Sequence, residues 1–297
     1  MSETPQPSNY NIGWDVGGWN CDKNPRSRDA IVILDAERCI HGTPWRGNLR
    51  EKINSANTTD DWIEALFELC GADHPRERLD VVLAIDTPLG FSTEFARLVT
   101  SGHPAVGELE ESSANPYLFR QTERFLFQND LTPLSPVKDM IGSQATKGMH
   151  VLAKFAPTIA SCGVWTDEKS LTVIETYPAA CKGSTTMEWL WRKHEPLGND
   201  DKDDALTCAL AAYLFFVQGK QPRRFDIDLL DVPPKLVNWR QADPELEEWI
   251  RRREAKTEPE HWDALVGPVS GVPESEGWIW VPVDVINMET LLFGGHA

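Results

Sequence analysis

The stretch that most limits the possible fold is an apolar run, "VVLAI", at residues 81–85. A strand that is apolar at every position, rather than at alternate positions, is typical of a parallel strand covered by helices on both faces. The run therefore predicts an α/β protein. It ends in Asp86, so the same strand delivers a carboxylate at its carboxyl end.

A second acidic residue lies in another strand-like stretch, "NIGWDVGGWN" at residues 11–20. Ile12 and Val16 have the character of buried strand positions, and Asp15 lies between them. A charge in a central strand is costly unless something pairs with it. Two strands that each deliver one carboxylate at or near the carboxyl end predict one shared site. We expect Asp15 and Asp86 on adjacent strands, with the helix of residues 200–218 ending beside them.

The remaining pattern predicts the order strand, strand, short strand, helix, strand, helices, strand, helix. The predicted strands are residues 10–18, 29–37, 39–47, 80–90 and 171–176, with a late strand in 276–286. The predicted helices are residues 58–71, 92–102, 117–129, 143–156 and 200–219.

The last of these helices begins with the acidic sequence "DDKDDA". Asp201 and Asp204 are three residues apart and therefore share a helical face. Acidic side chains are also favoured in the first turn by the helix dipole, and this is the interpretation we favour for Asp200 and Asp203.

Five motifs occur in order across residues 10–218: "GWDVGG", "LAIDTPLGF", "FRQTERF", "VIETYPAA" and "DDALTCALAA". This ordered set resembles the domain-of-unknown-function 429 family, which is described as predicted ribonuclease H-like nucleases. The resemblance implies a ribonuclease H-like fold, a mixed five-stranded sheet flanked by helices, and a nuclease-like activity.

Carboxylates at these positions suit a metal-dependent hydrolase of phosphodiesters. Such chemistry needs several carboxylates around two divalent cations about 4 Å apart, and Mg²⁺ prefers carboxylate oxygens. We predict Asp15, Asp86 and Asp204 as catalytic residues around Mg²⁺ or Mn²⁺, with Asp15 bridging the metals and the other two holding one each. Asp201 is a predicted auxiliary ligand or orienting residue, and Glu175 a further ligand.

Three residues are candidates for binding the substrate. Arg120 could hold a phosphate through two hydrogen bonds, or it could pair with Glu123 and stabilise a loop. Gly17 and Gly18 follow Asp15, where a glycine turn could approach a phosphate closely.

Two other functions remain open. "WDVGG" also resembles the first phosphate loop of the actin and sugar-kinase superfamily, so the protein could be a nucleotide-binding phosphotransferase. The chain lacks a convincing second Gly-rich loop, and 297 residues hardly accommodate two such domains. The third possibility is a non-catalytic binding protein that keeps the fold and offers an acidic face to a partner.

The net charge of −17 argues against a broad nucleic-acid-binding face, although it does not exclude a local basic patch beside a nucleic-acid or nucleotide site. The chain contains no run of about 18 or more apolar residues, so no membrane span is predicted. The six scattered cysteines favour free thiols and a cytoplasmic location.

Three segments are predicted along the chain. Residues 1–9 are polar and Pro-rich, as in a disordered leader, and residues 10–219 form the ribonuclease H-like domain. Residues 220–297 are a charged, Pro-broken extension that packs on or decorates the same domain.

Overall fold

The computed structural model describes residues 8–75, 78–109, 112, 115–220, 265–269 and 271–286. These residues form a mixed α/β structure with a sheet of eight strands, which confirms the α/β prediction. The expected count of five strands is wrong. The strands are β1 Ser8–Asp15, β2 Asp29–Leu34, β3 Trp45–Gly47, β4 Leu79–Asp86, β5 Thr158–Ser161, β6 Val164–Thr166, β7 Leu171–Thr176 and β8 Ile279–Trp280.

Helices flank the sheet. They are α1 Arg50–Ser55, α2 Thr59–Leu69, α3 Thr93–Ser101, α4 Gln121–Phe127, α5 Gly142–Phe155, α6 Pro178–Cys181, α7 Thr185–Trp191 and α8 Asp200–Val217. The start of α2 shows how local sequence sets a boundary. The Thr58 side chain accepts from the Asp61 amide while the Asp61 carboxylate accepts from the Thr58 amide, so two otherwise unpaired helix donors are satisfied.

The strands lie in the order β3-β2-β1-β4-β7-β6-β5, and β8 pairs with β7. β1, β4 and β7 are mutually parallel, whereas β2 runs antiparallel to β1. The carboxyl ends of the three parallel strands therefore meet at one edge of the sheet. The acidic ends of β1 and β4 lie at this edge.

The three strands beyond the expected five are short. β5 and β6 form a hairpin around Gly163, whose φ of +73° is a left-handed conformation that glycine adopts without strain. They have four and three residues, too few to establish an alternating pattern. β8 lies within the late strand predicted in 276–286 but has only two residues, and it continues the β7 edge beyond β6.

The sheet separates two hydrophobic layers, and alternate residues of each strand enter opposite layers. Ile12 and Trp14 of β1 pack on the side of α2 and α5. Val82 and Ala84 of β4 pack on the side of α8. By the same alternation, Asp86 faces the α8 layer.

Gly13 allows α8 to lie directly on β1. A Cβ at Gly13 would stand 1.9 Å from the carbonyl oxygen of Ala205 and 2.3 Å from the amide nitrogen of Ala209. No real side chain tolerates such distances, so any other residue would push the helix away. This close contact places the first turn of α8, with its acidic side chains, beside Asp15.

At the amino terminus, β1 begins at Ser8, so residues 8 and 9 belong to a strand although they were expected in the leader. Residues 1–7 lie outside the described residues. In the part that the structure describes, no helix combines the length and the apolar character needed to cross a membrane. All six cysteines are free thiols.

The C-terminal extension is described at residues 265–269 and 271–286, and residues 221–264 and 287–297 lie outside the described residues. Its described part is packed on the domain, because Trp278 and Trp280 are fully buried in the α8 layer.

Candidate active site

Asp15 and Asp86 form the centre of the candidate site. They are register partners at the carboxyl ends of the neighbouring parallel strands β1 and β4. Neighbouring strands lie about 4.8 Å apart, and register partners point to the same face of a sheet. Both carboxylates therefore belong to the α8 side of one sheet edge, as the sequence predicted.

Nothing in the described part of the chain neutralises this pair directly, since neither carboxylate forms a hydrogen bond or ion pair with a described side chain or backbone group. Burial first, and then the charges of Asp86, Asp201 and Asp204, raise the pKa of Asp15 well above its ordinary value. Burial first, and then Asp204 and Glu175, raise the pKa of Asp86 to about 8. Two acids so placed resist joint ionisation.

Asp204 lies near the pair but faces a cation. The ammonium nitrogen of Lys182, at the end of α6, is 3.2 Å from Asp204 Oδ1. The contact is an ion pair without the geometry of a hydrogen bond. Asp204 Oδ1 is buried and has no hydrogen-bond partner among the described residues. Burial raises the pKa of Asp204, and Lys182 opposes that rise.

Asp201 is held in place by other groups. Its Oδ2 accepts a hydrogen bond of 2.6 Å from Arg46 Nε and one of 3.0 Å from the backbone amide of Arg28. These contacts tie the start of α8 to the β1–β2 connection and to β3. Of the two roles predicted for Asp201, the contacts favour orientation of the site over metal ligation.

Glu175 lines the same edge but points to the other face. It is the register partner of Ile85, not of Asp86, so the alternation of side chains turns it away from the acid pair. Its two carboxylate oxygens accept from Arg120 Nη2 at 2.6 Å and Nη1 at 2.8 Å. The backbone amide of Leu89 donates a further 2.8 Å bond. These contacts do not support the prediction that Glu175 is a metal ligand.

Arg120 is occupied by protein groups. It is 1% exposed, and its Nε donates to Glu123 Oε1 at 2.7 Å in addition to the two bonds to Glu175. Nη1 also donates to the carbonyl oxygen of Glu276 at 3.0 Å. The pairing with Glu123, one of the two alternatives, is present. The predicted phosphate contact would require a buried guanidinium to leave both carboxylates.

The Gly17–Gly18 turn is likewise held by hydrogen bonds to other groups of the protein. The Gly17 amide donates to Asp29 Oδ1 at 2.9 Å, and the Gly17 carbonyl accepts from Lys147 Nζ at 3.2 Å. A Cβ at Gly17 would stand 2.7 Å from the Asp29 amide nitrogen, so packing alone requires glycine here. With its amide occupied, Gly17 is not arranged as an open phosphate loop.

The buried pair of Asp29 and Lys147 was not anticipated from the sequence. Both side chains are fully buried and form an ion pair, and Asp29 also accepts from Trp14 Nε1 at 3.1 Å and from the Leu49 amide at 2.7 Å. The sequence does contain a signal that Lys147 is buried: it lies four residues before the buried Val151, on the same helical face. A lysine on a buried face requires an acidic partner.

A cavity of about 200 Å³ opens over the acid pair. Its lining includes the carboxylates of Asp15 and Asp86 together with Ser27, Thr87, Gln144 and Tyr177. The Thr87 hydroxyl is buried without a hydrogen-bond partner in the described residues. The cavity therefore offers a ligand two acids that have no hydrogen-bond or ion-pair partner among the described residues.

The donor set suits a hard divalent cation, because carboxylate and hydroxyl oxygens are the ligands that Mg²⁺ and Mn²⁺ prefer. Within the described ranges, however, no three His, Cys, Asp or Glu side chains are already grouped to hold a metal ion. The complete cluster of Asp15, Asp86 and Asp204 expected from the sequence is thus not preformed. Comparisons with protein-family models, curated proteins and solved structures find no match for this chain.

Proposed function

We propose that the protein is a divalent-metal-dependent phosphodiester hydrolase, related to the ribonuclease H-like nucleases, and that Asp15 and Asp86 hold Mg²⁺ or Mn²⁺. The observation that carries this proposal is the in-register pair itself: two carboxylates at the ends of adjacent parallel strands, with raised pKa values and no described cation paired to either.

The order of the central strands supports the related fold. β3-β2-β1-β4-β7, with only β2 running antiparallel to its parallel neighbours, places acids at the ends of the first and fourth strands and at the start of the last long helix. This is the layout implied by the motif resemblance.

Two carboxylates are enough for a first metal ion. Mg²⁺ keeps several waters and is commonly held by one or two carboxylates together with substrate phosphates. The absence of a preformed three-acid group among the described residues therefore agrees better with one substrate-assisted ion than with two resident ions. A bound divalent cation would supply Lewis-acid activation of water and stabilise charge on the phosphate.

The chain's own residues would provide the surrounding functions. Asp204 would hold a negative charge close to the acid pair, where it raises the pKa of both Asp15 and Asp86. Lys182, whose side chain is 64% exposed, places a positive charge beside Asp204 that could approach a substrate phosphate. Glu175 and Arg120 would fix the loop after β4 through the Leu89 amide.

Hydrolysis of bis(p-nitrophenyl) phosphate and of a fluorescein-labelled oligonucleotide, with Mn²⁺ or with chelator, tests the proposal. We expect hydrolysis only with metal, and a loss of roughly a thousandfold in kcat/KM for Asp15→Asn and Asp86→Asn, since several kcal/mol of charge stabilisation would be removed. Asp80→Asn is the matched control, because Asp80 lies at the other end of β4 and pairs with Lys220. We expect it to retain activity within about twofold.

Hydrolysis that persists in chelator, or in both Asn variants, would contradict the proposal. Absence of hydrolysis from the parent protein, together with absence of Mn²⁺ binding, would favour a non-catalytic protein on this fold.

A further inference from the structure

A cluster of positively charged side chains lies beside Asp15 and Asp86, in a protein whose net charge is negative. Residues 20–28 and 45–50 carry five cationic side chains and a single carboxylate, Asp22, in a chain whose net charge is −17. We call these five cations the basic loop surface. Its members are Lys23, Arg26, Arg28, Arg46 and Arg50.

The basic loop surface adjoins the site directly. Ser27, between two of its arginines, lines the cavity that contains Asp15 and Asp86. Arg46 reaches the first turn of α8 through Asp201, and its Nη2 donates to the Pro25 carbonyl at 2.9 Å. The loop that carries the cations is thus tied to the edge that carries the acids.

Two members of this surface are available to a ligand. Lys23 and Arg26 are exposed, and neither side chain forms a hydrogen bond or ion pair with a described residue. The other three are half-buried and brace the loop. Arg50, for example, donates to Asn20 Oδ1 at 2.9 Å and to the Trp19 carbonyl at 3.1 Å.

Trp19 adds an aromatic face next to these charges. Its indole Nε1 donates to Thr146 Oγ1 at 3.2 Å, and its backbone amide donates to Ser143 Oγ at 3.0 Å, so the ring is held in position. The residue is only half-buried. A fixed, partly exposed aromatic ring beside cations is the combination that binds unpaired bases and their backbone.

Resting on the proposed function, we propose that the basic loop surface binds the phosphates of a single-stranded nucleic acid and leads one phosphodiester to Asp15 and Asp86. A polyanion is repelled by most of a protein with net charge −17, so a local cationic surface is needed to capture it. The cavity of about 200 Å³ is smaller than a typical drug-sized pocket. It would accommodate a phosphate and a neighbouring sugar but not both strands of a duplex.

A second group of cations provides a matched control. Arg78 and Lys169 are exposed and line a depression at the amino ends of β4 and β7, the opposite edge of the sheet from the acids. The double variants Lys23→Glu/Arg26→Glu and Arg78→Glu/Lys169→Glu make the same chemical changes at the two edges.

Fluorescence anisotropy with fluorescein-labelled 20-nucleotide DNA and RNA single strands, and with the corresponding DNA duplex, tests the proposal in chelator. We expect Lys23→Glu/Arg26→Glu to weaken single-strand binding at least about tenfold and to reduce the salt slope by about 0.7 per lost phosphate contact. Arg78→Glu/Lys169→Glu should stay within about twofold of the parent. The two single strands then show which sugar the site prefers.

No measurable single-strand binding, tighter binding to the duplex, or equal losses in the two double variants would overturn this proposal. Binding that depends on Lys23 and Arg26 without Mn²⁺-dependent cleavage would uphold the surface and overturn the hydrolase. Oligonucleotide cleavage with an unchanged KM in Lys23→Glu/Arg26→Glu would do the reverse.

Discussion

Carboxylates occupy two different environments in this protein. Asp29 pairs with Lys147, and Glu123 and Glu175 share Arg120, so each of these acids meets a buried cation and several hydrogen-bond donors. Asp15 lies on the strand next to that of Asp29, and Asp86 lies on the strand beyond it. Both are half-buried, and neither forms an ion pair or a hydrogen bond with a described residue.

The difference separates acids that support the fold from acids that are candidates for chemistry. A paired buried charge is tolerated because its partner and hydrogen bonds replace the water it has lost. Two adjacent unpaired acids weaken the folded state, and strongly perturbed acids of this kind cluster at functional sites.

Removing the shared cation should be the most destabilising change. Arg120→Met leaves Glu123 and Glu175 buried without their partner, and breaking a buried ion pair in this way costs about 3–5 kcal/mol. Urea denaturation measures the free energy of unfolding. A loss below about 1 kcal/mol would mean that the paired acids are not structural.

The second buried cation should have a somewhat smaller effect. Lys147→Met leaves Asp29 unpaired, but the donors from Trp14, Gly17 and Leu49 remain. We expect a loss of about 3 kcal/mol in the free energy of unfolding, at the low end of the range for buried pairs. An unchanged denaturation midpoint would show that Lys147 does not stabilise the glycine turn.

At the acid pair, the same measurement should change in the opposite direction. Asp15→Asn removes a carboxyl group whose pKa is raised first by burial and then by the charge of Asp86, and we expect the metal-free protein to gain about 1 kcal/mol at pH 8, the equivalent of roughly one pKa unit. If Asp15 only caps a turn, the substitution should instead cost about 1 kcal/mol.

The acid pair also predicts how stability depends on pH. The pKa of Asp86 is about 8 in the folded protein against an ordinary value of 3.8, so the folded state holds its proton more tightly than the unfolded chain. The free energy of unfolding of the metal-free protein should therefore fall as the pH rises from about 4 to about 8. Denaturation of the parent and Asp15→Asn across this range should give a shallower fall in the variant.

An exposed ion pair should matter least. Arg97 and Glu94 are three residues apart on α3 and 3.1 Å apart, and the side chain of Arg97 is 50% exposed. We expect Arg97→Met to change the free energy of unfolding by less than about 0.5 kcal/mol. A larger loss would mean that burial is not what distinguishes the strong pairs.

The sequence predicted the acid pair because the pattern is local to each strand. "VVLAI" followed by Asp86, and Asp15 within an apolar stretch, define two strand ends directly, and the parallel pairing brings them together. Glu175 shows what a local pattern cannot predict. Its strand was predicted correctly, but the face of its side chain depends on a register with β4 that residues 171–176 do not encode alone.

Ion-pair partners were harder to predict because they lie far apart in the sequence. Lys147 and Asp29 are 118 residues apart, and Arg120 and Glu175 are 55 apart. Local patterns identify a charged residue on a buried face but not the partner that compensates it. The short strands β5 and β6 escaped prediction for a related reason, since three or four residues carry little periodic signal. β8 lies within the late strand predicted in 276–286, but it is only two residues long.

The most direct test of the distinction between paired and unpaired acids is a set of thermal melts of the parent, Asp15→Asn and Asp80→Asn, each with chelator and with Mn²⁺. A ligand that binds only the folded state stabilises it by about 2.7 kcal/mol at a hundred times its Kd. We predict that Mn²⁺ raises the Tm of the parent and of Asp80→Asn but not of Asp15→Asn. A parent whose Tm ignores Mn²⁺, beside an Asp15→Asn variant that melts lower in chelator, would contradict the account and make Asp15 a structural residue.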